Sequence, residues 1–85
     1  RKDIIPFALV EGIPARLVGI NSVGLRRNDY SPQTRSSIKS AIKILKNQDL
    51  NTSQAVEKIK SEFEMTSEIS YLIDFIKASS RGITK

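Results

Sequence analysis

The sequence predicts a mainly α fold, a small antiparallel bundle of three helices preceded by short strands. Three observations predict it. Apolar residues recur at helical spacing in three separate stretches, each opened by a capping residue. The first 20 residues are instead rich in β-branched side chains and broken by glycine and proline. Apolar content of 39% with 27% charged residues is ordinary globular chemistry. No apolar run approaches the roughly 18–20 residues of a membrane span, so no membrane insertion is expected.

Residues 4–20, IIPFALVEGIPARLVGI, contain Pro6 and Pro14 and cannot form a long helix. Short extended pieces at about Phe7–Val10 and Arg16–Ile20, joined by a turn at Glu11–Ala15, fit best. So few strand residues do not make an independent sheet. They either pack on the helices as an irregular arm or end a sheet whose body lies outside these residues. Residues 21–30 read as a linker that holds the adjacent Arg26 and Arg27.

Ser31 is a natural N-cap with Pro32 at the first helical position. Ile38, Ala41, Ile42 and Leu45 then build one apolar stripe. The stretch NQDLN breaks the pattern, and Asn51 with Gln54 reads as a capping box. Ala55, Ile59 and Phe63 line the second helix. Thr66 or Ser67 caps the third, whose stripe is Ile69, Leu72, Ile73 and Ile76, with Tyr71 and Phe75 at its margins. Gly82 reads as a C′ residue closing that helix. Three such helices joined by short loops pack as an antiparallel bundle. The core is thin for its length, so the bundle leans on the strand arm, on neighbouring chains, or on both.

The chain opens Arg1-Lys2-Asp3 and its only methionine is Met65, so a piece of a longer protein is expected. Nothing at the start has the form of a signal peptide. The absence of cysteine excludes a disulfide framework and a thiolate metal site and fits a reducing compartment. No metal or cofactor is expected. The absence of histidine removes the side chain best placed to shuttle protons near neutral pH. A self-contained hydrolase or acyltransferase of the usual kind does not fit within these residues.

The net charge is +5, and it is unevenly placed. Residues 1–50 carry nine Lys/Arg against four Asp/Glu, whereas residues 51–85 carry five of each. A basic first half implies an anionic partner (phosphate, nucleic acid or acidic protein) or a solvated basic surface. Arg35, Lys39, Lys43 and Lys46 fall within roughly one quadrant of the first helix at about 100° per residue. Lysine stems covering the edge of the core explain this row, and so does a docking surface for an acidic partner. No base-reading helix accompanies it.

The order of residues carries a resemblance. VEGIPARLVG, with Val10, Gly12, Pro14, Ala15, Arg16 and Gly19, resembles the Gly-x-Pro-Ala-Lys/Arg turn that closes the last coil of hexapeptide-repeat acyltransferases. Their left-handed parallel β-helix ends in this way. GINSVGLRR resembles the Gly-x-Asn-x-x-Gly-Leu-Lys/Arg-Arg signature of the UDP-N-acetylglucosamine O-acyltransferase family, the first acyltransferases of lipid A biosynthesis. DFIKASSRGITK resembles that family's terminal motif at Asp74, Phe75, Ser79, Arg81 and Gly82. The three motifs come in order and cover nearly the whole chain.

The resemblance implies that residues 1–20 are the last β-helix coil, 21–30 a linker with a nucleotide-contacting corner, and 31–85 a C-terminal helical domain. It implies a cytoplasmic homotrimer, joined through the β-helix, that transfers a 3-hydroxyacyl chain from acyl carrier protein to the 3-hydroxyl of UDP-N-acetylglucosamine. The family's general base is a β-helix histidine, so no catalytic residue is expected here and the 85-residue chain alone should be inactive. By the same resemblance, Asn21 and Arg27 hold the uridine diphosphate part of the nucleotide sugar, with Arg26 and Asn28 as further candidates. Guanidinium groups suit phosphate oxygens through forked, charge-assisted hydrogen bonds. Arg35, Lys39, Lys43 and Lys46 would steer the acidic carrier protein.

The chain departs from the family pattern in three places. Asn28 stands where many members have a second functional arginine, Asp29 where glycine is usual, and Val23 where some members are acidic. Two other readings stay open: a standalone basic helical module that binds nucleic acid, and the tail of a different sugar-nucleotide acyltransferase. The first leaves the glycine–proline arm without a purpose. Acyl-chain length is not legible in these residues.

Overall fold

The computed structural model describes residues 2–85. Two strands, β1 (Ala8–Glu11) and β2 (Arg16–Ile20), are followed by four helices: α1 (Ser22–Arg27), α2 (Pro32–Lys46), α3 (Thr52–Glu62) and α4 (Ser67–Ala78). The described residues thus hold four helices rather than three, because the expected linker over 21–30 winds into α1 around the arginine pair. The segment has no apolar period long enough to announce a helix. Asn21 at its start and Leu25 on its inner face are what hold it.

The strands pair with each other as an antiparallel hairpin. Among the described residues the arm is therefore a hairpin packed on the helices, β2 lying against α2. A register shift between Leu9 and Val10 pairs Leu9 with Gly19 and Val10 with Leu17, which leaves Val18 opposite no residue. Its carbonyl accepts a hydrogen bond from Lys46 Nζ at 3.0 Å, tying the end of α2 to the hairpin. Leu17 faces the core, while Leu9, Ile13 and Val18 are exposed.

The expected stripes are the core. Ile38, Ala41, Ile42 and Leu45 of α2 meet Ala55 and Ile59 of α3 and Ile69, Leu72, Ile73 and Ile76 of α4, all of them buried. Val56 joins them, and Phe63 is half-buried at the C-cap of α3. Ile5, Leu17, Leu25 and Ile83 close the core from outside the three long helices. The caps form where the sequence places them. The Ser31 side chain accepts the Thr34 N–H, Asn51 and Gln54 make a reciprocal capping box, and Thr66 rather than Ser67 caps α4.

Gly82 does not close α4 as a C′ residue. The helix ends at Ala78 with Ser79 as its C-cap, and Gly82 takes φ +80° in the turn beyond. That turn sends the chain back to its own beginning. Asp3 donates its N–H to the Gly82 carbonyl at 2.9 Å, and Thr84 donates to the Asp3 carbonyl at 2.7 Å. Side chains reinforce the seam. The Ser79 hydroxyl donates to Asp3 Oδ2 at 2.6 Å and Arg81 Nη2 donates to Asp3 Oδ1 at 2.7 Å. Three positions of the terminal motif, Ser79, Arg81 and Gly82, thereby share one structural purpose. Lys85 completes the tie: its Nζ donates to the Leu50 carbonyl at 2.8 Å.

The Ser79 hydroxyl, and after it the Arg81 guanidinium, hold the Asp3 carboxyl below its ordinary pKa against the opposing effect of burial. A carboxylate with a depressed folded-state pKa adds stability above its unfolded value and loses it as pH falls through the folded one. Asp3→Asn is therefore expected to melt lower than the native chain at neutral pH. The gap should close as the solution is acidified below the usual carboxylate range. A gap that stayed constant with pH would show that the clasp draws nothing from the charge.

Asp29 has φ +57°, in the left-handed region that non-glycine residues enter at a cost. Glycine, which the resemblance puts at this position, enters that region freely. Asp29→Gly is expected to stabilise the chain by about 0.5–1 kcal/mol, read as a rise of a few degrees in Tm. Phe7 has φ +67°. Its carbonyl accepts the Asn21 N–H at 2.7 Å, and its ring meets Tyr30 and Tyr71 edge-on, with centroids 5.9 and 6.1 Å away. These contacts hold a conformation that a bulky side chain disfavours.

Candidate functional site

The arginine corner is built on a cap. Asn21 Oδ1 accepts the Gly24 N–H at 3.1 Å and so starts α1. Gly24 lies close beneath that amide, and a Cβ there would stand 2.8 Å from Asn21 Nδ2. Any larger residue would push the asparagine aside. Leu25, next in sequence, is buried and pins the helix to the core. At the far end, Asn28 donates to the Gly24 carbonyl twice, from Nδ2 at 2.7 Å and from its backbone N–H at 3.1 Å. The spacing Asn-x-x-Gly-Leu therefore follows from the geometry of one short helix. The Asn21 oxygen is committed to its cap, which leaves Nδ2 as the group to meet a ligand.

Arg26 and Arg27 occupy the last turn of α1, where the helix dipole favours cations. Both are exposed, and neither joins an ion pair among the described residues. Two hollows adjoin at Tyr30. One is lined by Phe7, Asn21, Gly24, Leu25, Asn28 and Tyr30. The other is lined by Arg26, Asp29, Tyr30, Ser31, Pro32 and Arg35. The expected nucleotide contacts thus divide. Asn21 and Asn28 share the first hollow, Arg26 lines the second, and Arg27 lines neither.

The basic row of α2 divides as well. Lys39 and Lys43 are exposed, without an ion pair among the described residues. Lys46 spends its ammonium on the Val18 carbonyl. Arg35 is half-buried, and its Nε is buried without a hydrogen-bond partner. Sequence reasoning set Arg26 and Arg35 on different partners, yet the turn at Asp29–Ser31 brings both to one hollow. It also passed over Tyr30 and Phe7, whose only signal was an aromatic side chain next to the corner and another in the strand arm. No group of three or more Asp, Glu, His or Cys placed to hold a metal occurs among the described residues. No helix among them is long and apolar enough to cross a membrane.

Fold and corner together define a hairpin-led helical domain that presents Arg26, Arg27, Lys39 and Lys43 to solvent. The family model for Udp N-acetylglucosamine O-acyltransferase, domain 2, matches residues 3–84, and the chain belongs to this family. An acyl-(acyl-carrier-protein)–UDP-N-acetylglucosamine O-acyltransferase of Thermodesulfovibrio yellowstonii is 40% identical over 84 residues, covering 99% of this chain and 33% of the relative. The equivalent protein of Fusobacterium nucleatum is 40% identical with the same coverage. The crystal structure of a UDP-N-acetylglucosamine acyltransferase from Bacteroides fragilis matches with a TM-score of 0.94 at 39% identity, covering 100% of this chain and 33% of that one. LpxA from Acinetobacter baumannii matches with a TM-score of 0.90 at 35% identity, again over 100% of this chain and 33% of that one. The chain spans about a third of the length of the curated relatives it matches.

Proposed function

We propose that this chain is the C-terminal part of an enzyme that transfers a 3-hydroxyacyl group from acyl carrier protein to the 3-hydroxyl of UDP-N-acetylglucosamine, the opening step of lipid A synthesis. The observation that carries the reading is the family match over residues 3–84, seconded by a TM-score of 0.94 at 39% identity to a solved acyltransferase of that name. On this reading a left-handed β-helix precedes this segment, and the antiparallel hairpin, rather than a last parallel coil, closes it off. The exposed Leu9, Ile13 and Val18 suit contact with that larger sheet assembly. Residues 21–30 carry the nucleotide corner and 31–85 the helical domain. The general base comes from the β-helix of a cytoplasmic homotrimer. Asn21 and Arg27, with Arg26 and Asn28 beside them, hold the uridine diphosphate. Arg35, Lys39, Lys43 and Lys46 meet the acidic carrier.

The test is an assay of the intact parent protein with hydroxyacyl carrier protein and UDP-N-acetylglucosamine. An ester on the 3-hydroxyl is expected, and the 85-residue chain alone should form none. A folded parent that acylates a different sugar nucleotide but not this one would refute the substrate assignment. Steering by the exposed part of the row has its own signature. Reversing Lys39 and Lys43 together to glutamate should lower the apparent carrier affinity roughly tenfold at low ionic strength, with the deficit shrinking as salt is added. A deficit that ignored salt would point to altered packing instead.

A further inference from the structure

Arg26 and Arg35 line one hollow from two helices, and their approach depends on the left-handed turn at Asp29. Arg35 is unusual within it, since its Nε is buried and has no partner in the fold. The Nε is closed off within the fold, so what Arg35 can offer a ligand in the hollow is its terminal guanidinium nitrogens, which carry the charge and the fork. The remaining lining supplies the Tyr30 and Ser31 hydroxyls and one carboxylate, Asp29. Ser31 is already engaged, its hydroxyl donating to Thr34 Oγ1 at 2.9 Å. Two guanidinium groups against one carboxylate leave the hollow with an excess of positive charge. The ligand chemistry that suits forked donors of this kind is a tetrahedral oxyanion.

We infer that the hollow between α1 and α2 is a phosphate site in which Arg26 and Arg35 act together. The site is separate from the Asn21–Asn28 hollow and adjoins it across Tyr30. The inference deepens the proposed function and rests on it for the source of the phosphate. A transferase must hold two substrates side by side, and both substrates here carry phosphate. One is the diphosphate of the nucleotide sugar. The other is the phosphodiester through which an acyl carrier protein presents its thioester arm.

The experiment compares the intact parent protein with Arg26→Gln and Arg35→Gln. Inorganic pyrophosphate should raise the Tm of the native protein, and each variant should lose most of that rise. This readout stands even if the proposed transfer is absent. In the transfer assay each substitution should raise KM for one substrate roughly tenfold, the loss of a hydrogen bond to a charged group, with the other KM unchanged. A change in the carrier KM assigns the phosphodiester, and a change in the nucleotide-sugar KM assigns the diphosphate. Arg35→Lys keeps the stem and the charge while losing the fork, so it guards against mistaking a packing defect for a lost ligand. It should fall between native and Arg35→Gln in the pyrophosphate response. A pyrophosphate response that is the same in all four proteins overturns the site, as does a drop in kcat with both KM values intact.

Discussion

Truncating Leu72 to alanine is expected to lower the melting temperature of the chain by more than about 10 °C. Leu72 is fully buried on the inner face of α4, among Ile69, Ile73 and Ile76. Removing a buried leucine side chain costs roughly 2–5 kcal/mol, from lost transfer energy and from the cavity left behind. Small domains are stable by only about 0.05–0.15 kcal/mol per residue, so the loss is a large part of the whole. The adjacent Tyr71 supplies the control. It is 58% exposed, and its ring touches Phe7 edge-on. Tyr71→Ala should cost about 0.5–1.5 kcal/mol, the worth of one aromatic pair. Thermal unfolding followed by circular dichroism measures both. Equal shifts at the two positions would mean that α4 presents a different face to the core.

Replacing Arg27 by alanine in the intact parent protein is expected to cut kcat/KM for the nucleotide sugar roughly ten- to a hundredfold. The side chain is exposed in the last turn of α1 and pairs with no carboxylate among the described residues, so little of the fold depends on it. Its melting temperature should stay close to native. Arg27→Lys should recover only part of the activity, because an ammonium keeps the charge and loses the fork. A variant with full activity would remove Arg27 from the site and leave the family assignment standing. The prediction is separable from that for Arg26 and Arg35, since Arg27 lines neither hollow at Tyr30.

Much of the helical architecture was legible because it is local. A cap needs a side chain within three residues of the N–H groups it serves, as with Ser31, Asn51 and Thr66. An apolar stripe is a periodicity that any reader of the chain can count. The short helix α1 was not legible, for it is held by a cap, a glycine that lets the cap lie flat, and a single buried leucine. The signature Asn-x-x-Gly-Leu-Arg-Arg pointed to the corner as functional. The geometry adds that Asn21, Gly24 and Leu25 also serve the fold, while Arg26 and Arg27 face solvent.

Composition, charge placement and motif order by themselves determined a helical domain of this acyltransferase family with an arginine corner and a basic helix face. Those properties depend on which residues stand three or four apart, or next to one another. Tertiary structure alone decided that the strands pair with each other, that Asp3 is clasped by Ser79 and Arg81 across 76 and 78 residues of chain, and that Arg35 lines the same hollow as Arg26 while Lys46 bonds the Val18 carbonyl. The reason is physical: contacts between distant residues follow from how the helices share one core, and no local spacing encodes which cation ends beside which neighbour.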